Sequence, residues 1–270
     1  MIPYFLLDQI SLGPVKLYTW GLFVGLGFSA GYLLFYYLAS KENLAPKKIA
    51  GLALAIFFGA IFGAWALARL TAGGGAAFMG GLVGAIVFAW GYIKLRKLNF
   101  WQIADLLVFP TALGIGIGRI GCILINDHQG ASTNLPWAIL WPDGIARHPV
   151  GIYESLVGFG LLAVFWFIFF SSSTQLRGGL RWGGVKIEDQ HLTPALSSSE
   201  ERGQQEGKIF LLFLISYSAI RFFLDFTRVA SGPLADPRWG TLSASQWLAA
   251  VIFITSLLLF WQQKSSQIKG

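Results

Sequence analysis

The sequence predicts an all-α integral membrane protein of about seven transmembrane helices with a small extracytoplasmic cap. Of its 270 residues, 55% are hydrophobic and only 12% are charged, and the mean hydropathy is +0.61. Several apolar runs reach the roughly 20 residues that a helix needs to cross a bilayer core. Lysine and arginine collect in alternate loops between these runs, as expected of a chain that crosses a membrane repeatedly.

The transmembrane helices are predicted from apolar windows taken in chain order. Residues 1–16 lack a basic segment leading into an apolar stretch that ends in small residues, so we expect the first helix to be retained. Seven spans place the two termini on opposite sides of the membrane. The windows lie at about residues 17–38, 48–69, 78–95, 102–121, 151–170, 209–229 and 245–261.

Basic residues in the loops predict the orientation. If the spans alternate, the first, third and fifth loops and the C-terminal tail share one side, which the positive-inside rule makes the cytoplasm. We therefore expect a multi-pass protein of the inner (plasma) membrane, with its N-terminus outside and its C-terminus cytoplasmic. We attribute the net charge of +7 to the basic residues of these loops. We therefore expect no nucleic acid partner. The residues concerned are Lys41, Lys47, Lys48, Lys94, Arg96, Lys97, Arg177, Arg181, Lys186, Lys208, Lys264 and Lys269.

We expect residues 1–270 to form a single transmembrane domain with two long loops. Segment 122–150 is the longest outward loop and predicts the extracytoplasmic cap. Segment 171–208 is rich in Ser, Gly and Gln and has too little apolar content to bury a core, so we expect a disordered cytoplasmic loop. The alternative is a docking segment for a cytosolic partner.

Ionisable residues inside the spans mark a candidate site, because a charged side chain that faces lipid is costly. Four polar residues of the sixth span fall at i, i+4, i+8 and i+11, so they share one face of a continuous helix. Asp225 pairs with Arg221 in the simplest interpretation. One carboxylate cannot neutralise two arginines, and a second anion is expected. The four residues are Tyr217, Arg221, Asp225 and Arg228.

Arg119 lies in a glycine-rich stretch, GIGIGRIG, at the outer end of the fourth span. Small residues let helices approach closely. A guanidinium can bind a phosphate in a bidentate manner, with two parallel hydrogen bonds. Arg119, Arg221 and Arg228 therefore predict a site for the phosphate of a lipid head group. Asp105 lies about 21 Å further down the helix, too far to pair with Arg119, and is expected at the cytoplasmic interface.

The segment ARHPVGIYESL carries the candidate acid–base group, His148. Histidine exchanges its proton near neutral pH, and Tyr153 and Glu154 follow closely enough to orient the imidazole. His128 beside Asp127 is the alternative. In the alternative, purely structural interpretation, His148 is an exposed residue that precedes the proline at a helix start.

Other enzyme classes lack support from the local sequence. The chain contains no His-Glu-x-x-His sequence, which argues against a zinc protease. Its Gly-x-Ser-x-Gly sequence, residues 27–31, lies inside the first apolar window and not at the strand-to-helix turn that a serine hydrolase requires. Its single cysteine, Cys122, excludes an intramolecular disulfide and offers no metal cluster.

The chain resembles the prolipoprotein diacylglyceryl transferases in a series of motifs. GRIGCILINDHQG is similar to the family signature, in which a Gly-Arg-x-Gly-Asn-Phe run leads through polar and acidic residues to a glycine. Further matches follow in chain order and leave only the 171–208 segment uncovered. They are YTWGLFVGLGF, FMGGLVGA, ADLLVFPTALGIGIGRIG, HPVGIYES, YSAIRFFLDFTR and GTLSASQWL.

The resemblance implies a reaction and its substrates. Such enzymes move the diacylglyceryl group of phosphatidylglycerol to the lipobox cysteine of a prolipoprotein signal peptide, release glycerol phosphate and need no metal or other cofactor. The implied partners are phosphatidylglycerol, prolipoproteins and membrane lipids. By position, Arg119 and Arg221 bind the phosphate, Asp225 replaces a glutamate, Asp127 replaces an acidic residue and Gly130 closes the signature.

Together these arguments assign catalysis and substrate binding. The predicted catalytic residues are His148, Asp127, Arg221 and Asp225. The predicted substrate-binding residues are Arg119, Arg221, Arg228, Tyr217, Tyr153, Glu154 and Gly130.

Five positions depart from the family pattern: Met79 replaces a histidine, Cys122 an asparagine, Trp20 a tyrosine, Gly151 a glutamine and Asp225 a glutamate. Methionine cannot accept or relay a proton. Either His148 or His128 then supplies the base, or the chain is a non-catalytic paralogue that binds or translocates phospholipid. An ion or solute transporter is a further alternative.

Overall fold

The computed structural model describes residues 1–42, 44–70, 77–127, 129–176, 207–230, 235 and 238–268. Helices carry most of this part of the chain. They are α1 (Thr19–Lys41), α2 (Pro46–Leu70), α3 (Ala77–Leu95), α4 (Phe100–Ile125), α5 (Val150–Leu176), α6 (Lys208–Leu224) and α7 (Ala244–Ile268).

Six stretches of the described residues are long and apolar enough to cross a membrane. They are Thr19–Lys41, Pro46–Leu70, Phe100–Ile125, Val150–Phe169, Lys208–Thr227 and Ala244–Gln263. Helix α3 occupies the remaining predicted window, but its apolar part, Met79–Leu95, is shorter than the other six. The predicted all-α membrane class is confirmed, with six full-length candidate spans in the described residues and one shorter apolar helix.

Local sequence sets two of the helix starts. Before α4, the Asn99 side-chain oxygen accepts hydrogen bonds from the backbone N–H groups of Trp101 and Gln102, as an N-cap residue does. Before α7, the backbone N–H of Gln246 donates to Ser243 Oγ, and that of Ser243 donates to Gln246 Oε1. This reciprocal pair is a capping box.

The backbone divides into two compact units, residues 31–110 and residues 1–30 with 111–270. In the first unit, α2 and α3 cross at glycines. A Cβ on Gly63 would lie 2.1 Å from the carbonyl oxygen of Gly80, and one on Gly59 would lie 2.6 Å from that of Gly84. The glycines of the FMGGLVGA motif therefore allow close helix contact. Met79 lies in the first turn of α3 and is partly exposed.

In the second unit, the C-terminal half of α4 packs closely on α5. A Cβ on Gly158 would lie 2.5 Å from the backbone nitrogen of Gly116, and Ser155 Oγ donates a hydrogen bond to the Gly116 carbonyl at 2.8 Å. Gly116 and Ser155 lie within three residues of Arg119 and Glu154. The small residues thus bring these two charged side chains together.

Short strands, which the sequence interpretation did not anticipate, surround the helix ends of this unit. Strand β1 (Ile2–Pro3) pairs in parallel with β4 (Ile139–Leu140), and β4 pairs antiparallel with β5 (Ala146–Arg147). Two further hairpins join β2 (Gln9–Leu12) to β3 (Val15–Tyr18) and β6 (Arg238–Trp239) to β7 (Leu242–Ser243).

The N-terminal arm is tied to the end of α4. The Leu7 N–H donates to the Leu124 carbonyl at 2.8 Å, and the Asn126 side-chain amide donates to the Phe5 carbonyl. Helix α4 extends to Ile125, so the irregular part of the predicted 122–150 cap lies between α4 and α5.

The predicted disordered loop, 171–208, lies mainly outside the described residues. Its first six residues continue α5, and Lys208 begins α6.

Candidate functional site

The polar stripe predicted for the sixth span changes backbone conformation partway along. Helix α6 ends at Leu224, residues Asp225–Thr227 form a 3-10 turn, and Arg228 is extended, with φ −87° and ψ 154°. The prediction that one helical face continues to Arg228 is therefore wrong. The Thr227 hydroxyl donates to the Leu224 carbonyl at 2.7 Å, which satisfies one of the carbonyls left open at the helix end.

Glu154, in the first turns of α5, lies among three arginines and is only 4% exposed. Its Oε2 lies 2.9 Å from Arg119 Nη1. Its Oε1 lies 3.1 Å from Arg228 Nη2 and 3.8 Å from Arg221 Nη1. Glu154 is thus a second anion beside the arginines, as the sequence predicted. Sequence reasoning placed it beside His148 and missed this position.

Asp225 is the other buried carboxylate of the cluster. Its Oδ1 accepts hydrogen bonds from Arg221 Nη1 at 3.1 Å and from Ser245 Oγ at 2.8 Å. Its Oδ2 accepts one from Ser243 Oγ at 2.5 Å. The expected Arg221–Asp225 pair is present. The two serines were missed, although the Ser-x-x-Gln spacing of the α7 capping box was readable in the sequence.

Among the described residues, these ion pairs join three arginines to two carboxylates. The arginine side chains differ in accessibility: Arg119 is 22% exposed, Arg221 13% and Arg228 8%. Arg119 is therefore the most open to an anionic ligand.

Arg119 has two further neighbours. Its Nη1 donates to the thiol sulfur of Cys122 at 3.8 Å, and Tyr217 lies near enough for an electrostatic interaction. The Tyr217 ring stacks on Phe213, with ring centroids 5.9 Å apart. The predicted substrate-binding residues Arg119, Arg221, Arg228 and Glu154 are thus brought together, and Tyr217 lies beside them.

His148 lies in a second polar group next to the start of α5. Its Nδ1 is 3.2 Å from the Tyr153 hydroxyl, and the two rings meet edge to face with centroids 5.9 Å apart. The indole N–H of Trp137 donates to the same hydroxyl at 2.8 Å. Partial burial lowers the pKa of His148 below its usual value, so the neutral imidazole persists to lower pH than in a free histidine.

Residues 129–131 connect this histidine to the arginine cluster. Gly130 forms an antiparallel bridge with Arg228, and the Ala131 carbonyl accepts a hydrogen bond from the His148 N–H at 3.0 Å. A Cβ on Gly130 would lie 2.1 Å from the His148 carbonyl oxygen. The closing glycine of the signature is therefore required by a close backbone approach. Asp127 is exposed just after α4, and His128 lies outside the described residues.

Between the end of α4 and the start of α5 there is a small cleft. Its lining includes Cys122, Asn126, Trp141, His148 and Gly151. A Cβ on Gly151 would lie 3.0 Å from the Ile123 side chain, so glycine here permits close helix packing. In the described part of the chain, no three His, Cys, Asp or Glu side chains are grouped as metal ligands.

Comparison with known proteins adds an independent observation. Residues 8–182 and 191–262 match the family described as prolipoprotein diacylglyceryl transferase. Three similar curated proteins carry the name phosphatidylglycerol–prolipoprotein diacylglyceryl transferase. The one from Solidesulfovibrio magneticus is 26% identical, over 96% of this chain and 94% of its own length. The one from Chromohalobacter salexigens is 28% identical, over 88% and 83%, and the one from Legionella pneumophila is 26% identical, over 94% and 95%.

Proposed function

Because the chain belongs to the prolipoprotein diacylglyceryl transferase family, we propose how its polar cluster carries out that family's reaction. The protein is a membrane transferase that moves the diacylglyceryl group of phosphatidylglycerol to the lipobox cysteine thiol of prolipoproteins. The observation that supports the mechanism best is the cluster of Arg119, Arg221 and Arg228 around the buried Glu154, near the ends of three apolar helices.

The phosphate of phosphatidylglycerol binds at Arg119, with Arg221 beside it. Arg119 has the largest exposed fraction of the three arginines and one carboxylate partner, Glu154, so its guanidinium has N–H groups to donate to a phosphate. Asp225 and the hydroxyls of Ser243 and Ser245 hold Arg221 in place. We therefore assign Asp225 to positioning Arg221.

His148 is the general base. It removes the proton of the lipobox thiol, and the resulting thiolate attacks the diacylglyceryl carbon that is bonded to the phosphate oxygen. A C–S bond forms as the C–O bond breaks, and its electron pair leaves on the phosphate of glycerol phosphate. The guanidinium groups of Arg119 and Arg221 stabilise this developing anion. The proton on His148 passes to water or to the departing phosphate.

We propose the inner (plasma) membrane as the location, with the N-terminus outside and the C-terminus cytoplasmic. The asymmetry of lysine and arginine among the loops supports this orientation. The 122–150 segment, including His148, then lies on the extracytoplasmic side, where exported prolipoproteins are accessible.

A non-catalytic phospholipid-binding or translocating paralogue is the second candidate, because Met79 stands where the family resemblance implies a histidine. Genetic complementation separates the two. We expect the gene to support growth of cells that have lost an authentic transferase. Expression at a normal level without rescue would favour the non-catalytic alternative.

A further inference from the structure

We propose that Trp137 and Tyr153 are positioning residues that fix His148 with its Nε2 atom directed to the substrate thiol. This inference rests on the proposed function and deepens it. Its basis is two linked hydrogen bonds: the Trp137 indole N–H donates to the Tyr153 hydroxyl oxygen, and this hydroxyl is in turn hydrogen-bonded with His148 Nδ1.

The donors and acceptors of this chain restrict the working atom of the imidazole. An indole N–H only donates, so the Tyr153 oxygen accepts from Trp137 at 2.8 Å. The same oxygen lies 3.2 Å from His148 Nδ1. Nδ1 is therefore occupied in either tautomer, and Nε2 is the nitrogen left to receive a proton from a substrate.

The base requires one of the two tautomers. When Nδ1 carries the hydrogen and donates it to Tyr153, the lone pair of Nε2 is available to the thiol. Tyr153 then accepts two hydrogen bonds, which fill both lone pairs of its oxygen. A neutral phenol thus performs the orienting task that a carboxylate performs for histidine in hydrolase triads. Glu154 cannot do so here, because its carboxylate is committed to the arginines.

The backbone holds the histidine from both sides. The His148 N–H donates to the Ala131 carbonyl, and its own carbonyl accepts from the Val150 N–H, both at 3.0 Å. Trp137 belongs to the turn before β4, whereas Tyr153 belongs to α5. The hydrogen bond from Trp137 therefore joins the loop to the helix and limits rotation of the phenol.

Other groups around the ring bear on its pH response. Cys122 lies across the cleft on α4. Arg147, the preceding residue, donates two hydrogen bonds of 2.7 and 2.6 Å to the carboxylate of Asp143. Tyr153 is the titratable group in direct contact with the imidazole. Changes at Trp137 or Tyr153 consequently act on His148 through this one contact.

A double-mutant cycle with Trp137→Phe and Tyr153→Phe tests the inference in the full-length protein, using phosphatidylglycerol vesicles and a lipobox peptide. We expect Tyr153→Phe to lower kcat about 10–100-fold, as the loss of an orienting partner does, and to shift the pH profile of the rate. Trp137→Phe should lower kcat about fivefold, as the loss of one ordinary hydrogen bond does. It should have no further effect in the Tyr153→Phe protein. Binding of phosphatidylglycerol should not change.

The matched control is Trp239→Phe, which alters an exposed tryptophan in the β6 hairpin and should leave rate and pH profile unchanged. Additive losses from Trp137→Phe and Tyr153→Phe, or an unaltered pH profile in Tyr153→Phe, would overturn the inference while leaving the transferase assignment intact. A parent protein that transfers no lipid would overturn both.

Discussion

Replacing Glu154 by glutamine removes the charge that holds the three arginines together. The carboxylate lies 2.9, 3.1 and 3.8 Å from guanidinium nitrogens of Arg119, Arg228 and Arg221 and is 4% exposed. Removing one partner of a buried ion pair costs about 3–5 kcal/mol, because the other charge stays buried without compensation. Glutamine keeps the size of the side chain, so the loss of stability reports the charge.

Phosphatidylglycerol should replace part of the missing anion. Glu154→Gln removes one negative charge from beside the three arginines, so a bound phosphate compensates for more of their positive charge. We expect the variant to unfold at a lower temperature than the parent in phosphatidylcholine nanodiscs. We also expect phosphatidylglycerol to raise its unfolding temperature more than it raises that of the parent.

The assay is thermal unfolding in nanodiscs with and without phosphatidylglycerol. Asp143→Asn is the matched control, because Asp143 also pairs with an arginine but is 46% exposed, where ion pairs contribute little. A Glu154→Gln protein as stable as the parent without phosphatidylglycerol would refute the structural role of the carboxylate. Equal stabilisation of both proteins by the lipid would refute phosphate binding at these arginines.

Three further predictions follow from the same geometry. Arg119→Lys keeps the charge but loses the bidentate hydrogen bonds of the guanidinium, so phosphatidylglycerol binding should weaken about tenfold or more. Arg221→Ala should weaken it as well, and unchanged binding in both folded variants contradicts the phosphate site. Because burial lowers the pKa of His148, the transfer rate should fall only as pH drops through a value below about 6.5, and His148→Ala should lose this activity; a full rate in His148→Ala rules out this base. A reporter near residue 135 should face outside and one within segment 171–208 should face the cytoplasm; finding both on one side contradicts the orientation.

Much of the fold was predictable because hydrophobic length alone defines a membrane helix. The seven apolar windows correspond to the seven helices of the described residues. Length also explains the one difference, since the apolar part of α3 is shorter than the others. The short strands were not predicted, because runs of two to four residues are too short to establish an alternation of side chains.

The charged residues of the site were predictable for a related reason. An arginine in an apolar run needs a partner, and this singled out Arg119, Arg221 and Arg228. The position of Glu154 was not predictable, because it depends on tertiary packing, including that of α5 on α4 at Gly116 and Gly158. The conformation at Arg228 was also hidden, since no glycine or proline in the sequence marks the end of α6.

Transfer of labelled lipid is the most direct test of the central claim. Purified protein in nanodiscs is given phosphatidylglycerol labelled in its acyl chains and a peptide with a lipobox cysteine. We predict that label appears on the peptide in a thioether, that a cysteine-to-serine peptide receives none, and that Arg119→Lys slows the reaction. A parent protein that binds phosphatidylglycerol but transfers no label, together with transfer by Met79→His, would contradict the claim. It would establish a phospholipid-binding protein that lacks its base.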